Sequence, residues 1–426
     1  MNILYIHTHD TGRYIEPYGY NVPTPNLQKL AEEGTLFRQA FSVAPTCSPS
    51  RSALLTSLPP HTNGMYGLAH RGFKMHDMNR HIVPYLNTHG FETVLCGVQH
   101  VVHPNPKDIG YQKVITSKPG VTDGSGFSID EANALKTAEY LKEKKEKPFF
   151  LSFGMYNTHR DWPKADDIND NYVMPPHPIY DNAASRKDYA GYIASAKIVD
   201  KSVKIVLDAL LETGLDKETF IFFTTDHGLA YPNMKCNLFD TGIGVSLIIK
   251  YPGNKRKGEA IDSLVSHLDI FPTICDVLDL ETPEYLTGFS LRPLMEDEVN
   301  EIRDEIFAEV TYHAVYEPMR CIRTKRYKLI RYFDDFSHPH PANIDGSVVK
   351  DFMADAGLLE QRCEKAMLFD LYLDPVERVN LADIRKGEYE VIAKEIETVP
   401  ERKPDYGPSK IHPQAGCTAV GVRFPL

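Results

Sequence analysis

The chain has 426 residues, 42% of them apolar and 25% charged, with a formal net charge of −11. That length suffices for one large domain plus a smaller one, and the composition is that of a soluble globular protein. The acidic balance argues against nucleic acid as a main partner, and no stretch approaches the roughly 20 apolar residues that cross a bilayer.

Met1 leads at once into the apolar run Asn2-Ile3-Leu4-Tyr5-Ile6, with no basic leader, so the expectation is a cytoplasmic protein. Ile3 to Ile6 reads as the first strand. Thr24-Pro25 is expected to cap a short helix through Leu27, Leu30 and Ala31 that stops at Gly34. Phe91 to Cys96 is a strand, and Ser128-Ile129-Asp130-Glu131 reads as a capping box that opens a helix. Phe149 to Phe153 gives a strand and Tyr189 to Leu211 a long amphipathic helix ending at Gly214. Strands at Phe220 to Thr224 and Ser246 to Lys250 follow. This alternation predicts an α/β domain with a mainly parallel sheet flanked by helices.

Near residue 300 the texture changes. Ile306 to Val310, Met319 to Arg323 and Tyr327 to Tyr332 are close-spaced strands of an antiparallel sheet, followed by a helical pattern over Glu388 to Glu397 and a tail rich in Pro and Gly. The expected boundary lies near Asp304, giving domains 1–304 and 305–426, the second a smaller α+β unit. Seven scattered cysteines with no C-x-x-C spacing predict no disulfide framework.

In open α/β sheets, sites form beyond the carboxyl ends of the strands. His7, His9 and Asp10 follow the first predicted strand, and His100 follows the strand at Phe91. His159, Arg160 and Asp161 follow the strand at Phe149. Asp226 and His227 follow the strand at Phe220, with Lys235 a little later. Every such strand ends in a metal-ligand or acid/base residue type. One further block stands out, Cys47-Ser48-Pro49-Ser50-Arg51, a C-x-P-x-R pattern with proline near the start of a short helix.

With these residues the chain resembles the sulfatases of the alkaline phosphatase superfamily over nearly its whole length. Ile3 to Gly12 resembles their N-terminal metal strand and Thr225 to Gly228 their second metal segment. Lys235 through Gly253 resembles a following lysine, turn and strand, and Leu368 to Leu371 with Asp374 to Glu377, Asn380 and Leu381 a C-terminal signature. The strongest local likeness, over Ser57 to Leu68 and more weakly His313 to Thr324, is to members that cleave N-sulfate from glucosamine.

The resemblance implies an alkaline-phosphatase-like fold and a nucleophile made from Cys47 by oxidation to formylglycine (3-oxoalanine). That conversion requires a formylglycine-generating enzyme as a partner. It implies one divalent metal ion (calcium, manganese or magnesium) held by His9, Asp10, Asp226, His227 and residue 47. Arg51 would hold the nucleophile's alkoxide and His159 would protonate the leaving group. His100 would take a proton from the hydrated aldehyde, and Lys235 would bind a sulfate oxygen. The substrate would be a small anion, a sulfated sugar or an aryl sulfate.

Two departures stand out. His9 occupies the position of a usual second aspartate, so the preference shifts from calcium towards manganese, or His9 only orients Asp10. The family's lysine two residues before His100 is Val98 here, so Arg160 is a candidate to supply that charge. His313 and Arg320, with Arg13 and Arg71, are further candidates for substrate contact. Trp162 could stack on a sugar or pack in the core. A formylglycine-dependent phosphonate monoester or phosphodiester hydrolase, and a catalytically silent binding protein with unmodified Cys47, remain open as alternatives.

Overall fold

The computed structural model describes residues 1–117, 129–334 and 337–398. Strands are numbered along the chain. The central sheet runs in the order β5 (Lys113–Val114), β4 (Glu92–Gly97), β6 (Phe149–Gly154), β1 (Asn2–Thr8), β7 (Thr219–Thr225), β8 (Leu247–Lys250), β2 (Thr35–Phe37), β9 (Glu259–Ile261). A small parallel pair, β3 (Ala40–Phe41) with β10 (Val265–Ser266), stands beside it.

All seven residues of β1 and all seven of β7 are buried, because helices cover both faces of the sheet. The strand period then sends alternate residues to opposite cores. Ile3, Tyr5, Phe220 and Phe222 face one cluster, whereas Leu4, Ile6, Ile221 and Phe223 face the other. Within the sheet every pairing is parallel except the two made by β8. The chain between β7 and β8 contains only a four-residue helix, Asp240–Ile243, too short to carry it to the far end of the sheet. β8 therefore starts where β7 stops and runs back.

Several local expectations are corrected. The long helix begins at Ala183, earlier than Tyr189, with Asn182 accepting from Ser185 N at 2.9 Å. Thr24 precedes the helix Pro25–Glu33, but its hydroxyl accepts from Glu16 N and donates to Val22 O instead of capping. The free N–H groups of Asn26 and Leu27 are satisfied by Asp200, on the long helix, at 3.0 and 2.9 Å. Ser128, the first residue of the predicted capping box, lies outside the described residues, as do Cys417 and the Pro- and Gly-rich tail.

The second sheet begins at Glu305. Its strands β11 (Glu305–Tyr312), β12 (Tyr316–Thr324), β13 (Tyr327–Tyr332) and β14 (Ala366–Asp370) pair antiparallel in sequence order. One face packs Ile306, Val310, Met319 and Phe369 against Phe41, Leu238, Ile243 and Leu264 of the larger unit. The other face is covered by Ile392 and Ala393 of the helix Lys386–Thr398. None of the described helices is long and apolar enough to cross a membrane.

Candidate active site

The parallel register of β1 and β7 sets Thr8 opposite Thr225, so the next residues on both strands emerge together. Asp10 is fully buried and takes a left-handed φ of 48°, and its N–H is held by Asp226 Oδ1 at 2.8 Å. That conformation is unusual for a side chain with a Cβ and is fixed by the bond to the neighbouring strand end. β6 and β4 deliver the flanking histidines. Asp130 accepts from Tyr156 N and Asn157 N, both at 2.8 Å, and so pins the loop that leads to His159. Gly97 adopts φ 87°, and a Cβ there would meet Gly154 O at 1.9 Å; glycine lets β4 turn into the His100 loop.

Cys47 opens the wholly buried helix Cys47–Thr56. Candidate ligand atoms of His9, Asp10, Cys47 and Asp226 lie within 4.8 Å of one another, and so do those of His9, Cys47 and His100. Arg51, one turn into the helix, spans the floor. It donates to His7 Nδ1 at 2.6 Å, to Thr8 O at 2.7 Å and to Asp226 Oδ2 at 3.0 Å. Lys235 Nζ donates to Asp10 Oδ2 at 2.9 Å and pairs with Asp345 at 3.1 Å.

The electrostatics follow from burial and these neighbours. Burial opposes ionisation of Asp226, but His227, Arg51 and His9 outweigh it and hold its carboxyl well below the usual range. For Asp10, Lys235 with His159 and His227 overcome the same penalty. Burial, then Arg51, lowers His9 to about 3, so its imidazole is neutral. Burial pushes the Cys47 thiol well up, against the opposing pull of Lys235.

This donor set fits a divalent cation. Asp10 Oδ1 is buried without a hydrogen-bond partner, and His9 Nδ1, 3.2 Å from Asp226 Oδ2, makes no well-aligned hydrogen bond either. His227 Nδ1 donates to Gly228 O at 3.0 Å, which leaves Nε2 as an acceptor, 3.3 Å from Asp10 Oδ1 and in a 3.4 Å hydrogen bond with Cys47 Sγ. Two acceptors that close repel unless a proton or a cation stands between them. Ionised carboxylates, a neutral imidazole and orphaned acceptors are what a cation would satisfy.

The other predicted residues divide clearly. His100 lies with its ring centroid 5.4 Å from that of His9, and His159 at 5.6 Å. His313 faces the same region through Lys235, Asp345 and His227, and burial, then Lys235, lowers it to about 3. Arg160 is committed elsewhere, donating to both oxygens of Asp188 at 3.1 and 2.6 Å and to Ala230 O. It stacks on Trp162, whose indole N–H donates to Thr158 O at 2.7 Å and whose ring packs on Tyr192 and Tyr231. Arg13 donates to Ala40 O and lies over Phe41. Arg320 pairs with Glu309, which also accepts from His61 Nδ1 at 2.7 Å. These three line a cavity that contains none of the Cys47 cluster.

Sequence reasoning missed three residues. His7 was visible at its strand end, but its task of receiving Arg51 was not. His70 stacks on His100 with centroids 5.7 Å apart, and Asp345 comes from the second unit.

The sulfatase family profile matches residues 1–280. The chain belongs to the sulfatase family. The profile of the N-sulphoglucosamine sulphohydrolase C-terminal region matches residues 231–342 of the sulfatase. A formiminotransferase N-terminal subdomain profile matches residues 365–423, a stretch whose first described strand, β14, is integral to the second sheet. The sulfatase is 30% identical over 374 residues to human N-sulphoglucosamine sulphohydrolase, covering 78% of this chain and 72% of that one. A protein solved with its substrate D-glucosamine-2-N,6-O-disulfate superposes with TM-score 0.71 at 17% identity, over 93% of this chain and 96% of that one. The phosphonate monoester hydrolase of Agrobacterium radiobacter superposes with TM-score 0.67 at 19% identity, over 93% and 94%. The two structural likenesses establish the shared fold; the family match establishes a sulfuric ester hydrolase.

Proposed function

We propose that this enzyme hydrolyses a sulfate ester or N-sulfate on a sugar, with a formylglycine derived from Cys47 as nucleophile and one divalent metal. The observation that carries this reading is the set of unsatisfied acceptors gathered round a buried, protonated cysteine at a helix N-terminus. A thiol held protonated by burial is a poor nucleophile, which favours a converted side chain at position 47. Likeness to human N-sulphoglucosamine sulphohydrolase favours an N-sulfated or otherwise sulfated sugar.

His9, Asp10, Asp226, His227 and residue 47 would hold the metal. When bound, it would offset the charge of the sulfate and acidify the attacking hydroxyl, and the aldehyde hydrate would supply that hydroxyl. Arg51 is fixed by His7, Thr8 and Asp226, so its charge stands ready beside position 47 without reorganisation. Lys235 is kept charged by Asp10 and Asp345 despite its burial, and binds a sulfate oxygen. His159, whose Nδ1 is hydrogen-bonded to Arg160 O, would deliver through Nε2 the proton that the departing oxygen or nitrogen needs as its bond to sulfur breaks. Burial, with Arg51 and His70, lowers His100 to about 3, so it is neutral and able to receive a proton; a bound anion raises its basicity. Imidazole at His9 in place of a carboxylate favours manganese over calcium. Conversion of Cys47 would require a formylglycine-generating partner.

Co-expression with a formylglycine-generating enzyme should lower the intact mass by about 18 Da, the difference between thiol and aldehyde side chains. The converted enzyme should cleave N-sulfoglucosamine and an aryl sulfate faster than an aryl phosphonate monoester. Rapid cleavage of the phosphonate with both sulfated compounds left intact would overturn the reading.

A further inference from the structure

We infer that Asp345 selects substrates carrying a hydrogen-bond donor, a sugar hydroxyl or an amine, beside the scissile sulfate. The inference rests on the sulfatase reading above and adds to it a rule for the leaving group.

Asp345 is the outer end of a three-member chain, Asp10–Lys235–Asp345. The Lys235 side chain is 2% exposed and that of Asp10 0%, whereas that of Asp345 is 28% exposed. Asp345 is thus the member of the chain nearest solvent, while its Oδ2, turned towards Lys235, is buried and accepts no hydrogen bond. The position is built. Asn343, two residues earlier and buried, accepts from Ala314 N and Val315 N at 2.9 and 3.1 Å and donates to Glu317 Oε2 at 2.6 Å. Lys350 Nζ donates to Pro341 O and Ile344 O at 2.8 and 2.7 Å. The Asn343 bonds clasp the Asp345 loop to the turn between β11 and β12, which carries His313, and the Lys350 bonds close the loop on itself. Burial opposes the charge on Asp345, but Lys235, His313 and His159 outweigh it and keep the carboxylate ionised.

An ionised carboxylate at the mouth of an anion site repels the sulfate it helps to enclose. Lys235 already has the Asp10 carboxylate as a partner, so one ammonium does not by itself account for a second carboxylate at this place. The charge is useful if it accepts a hydrogen bond from the part of the substrate that leaves. A charge-assisted bond of that kind gives on the order of 10- to 100-fold in binding. A sugar meets this demand through its hydroxyls or amine. An aryl sulfate offers no donor, and a second anionic group next to the scissile sulfate would be repelled.

The test compares N-sulfoglucosamine with 4-nitrophenyl sulfate in converted wild-type, Asp345→Ala and Asp345→Asn enzymes. For the sugar, Asp345→Ala should raise KM about tenfold or more with kcat within about threefold, and Asp345→Asn should fall between. For the aryl sulfate, KM should stay the same or drop. Equal losses on both substrates, carried in kcat, would overturn the inference and confine Asp345 to steadying Lys235. Calorimetric binding of both compounds to Cys47→Ala protein, with and without Asp345→Ala, makes the same comparison without turnover. Selective weakening of the sugar supports the inference and equal weakening overturns it. Idleness of the wild-type enzyme on both compounds is a separate outcome, one that counts against the sulfatase reading itself.

Discussion

Two buried charge clusters sit about the same chain, and they differ in how completely they are satisfied. At the joint between the two units, Lys328 is fully buried and donates to Asp240 at 2.7 Å and Glu377 at 2.8 Å. Arg323 adds three contacts to the Asp240 carboxylate, and Glu377 also accepts from Asp240 N at 2.6 Å. None of the side-chain atoms of Lys328, Asp240, Glu377 or Arg323 is orphaned. At the Cys47 cluster, by contrast, His9 Nδ1, Asp10 Oδ1 and His100 Nδ1 are buried without hydrogen bonds. A closed network costs less than an open one, because each unpaired buried polar atom forgoes its bonds to water. The closed cluster is architecture. The open one is kept open for something that binds.

The largest expected effect separates chemistry from folding. Cys47→Ala in the open cluster should lower kcat at least about a thousandfold while the melting temperature stays within a few degrees of the parent. Retained turnover would break the assignment of the nucleophile. Next comes the closed cluster. Lys328→Met leaves Asp240 and Glu377 facing each other in a buried space and should cost ~3–5 kcal/mol in denaturant unfolding, with kcat per folded molecule unchanged. A variant as stable as the parent would show that the joint tolerates those charges unpaired and that the two clusters do not differ in this way.

Removing divalent cations sharpens the same contrast. Chelation should abolish activity and lower the stability of wild-type enzyme, since any cation bound only to the folded state stabilises it by mass action. In Asp226→Asn enzyme, chelation should shift the melting curve much less. The smallest effect lies at Glu317, beneath the Asp345 loop. Burial, eased by the Asn343 bond, raises its carboxyl from 4.5 to about 7. The folded state then holds a proton that the unfolded chain has already released, so stability from this group falls as pH rises from about 4.5 to 7. Glu317→Gln should gain ~1–2 kcal/mol at pH 8 relative to pH 5. Parallel pH profiles for variant and parent would rule this out.

The two clusters also mark where sequence reasoning reached. Asp10, Cys47, Arg51, Asp226 and His227 were legible because each lies just past a strand or at the head of a helix, and local pattern locates both. The closed joint was not legible. Asp240, Lys328 and Glu377 come from a four-residue helix, a strand and a turn, and nothing local marks them as partners. Arg160 misleads for the same reason. It follows His159 directly, yet Asp188, Trp162 and Tyr231 draw its guanidinium into the fold.

Alternating apolar runs, strand-end histidines and aspartates, and one C-x-P-x-R block were enough by themselves to determine a layered α/β fold and to point to the side chains that it gathers round Cys47. These are properties of chain segments, carried by period-2 burial and by what directly follows each strand. Tertiary structure alone decided that β8 runs against its neighbours, that His7 seats Arg51, and that a loop from the second unit sets Asp345 beside Lys235. Each of those depends on segments far apart in sequence meeting in space, and no local preference records such a meeting.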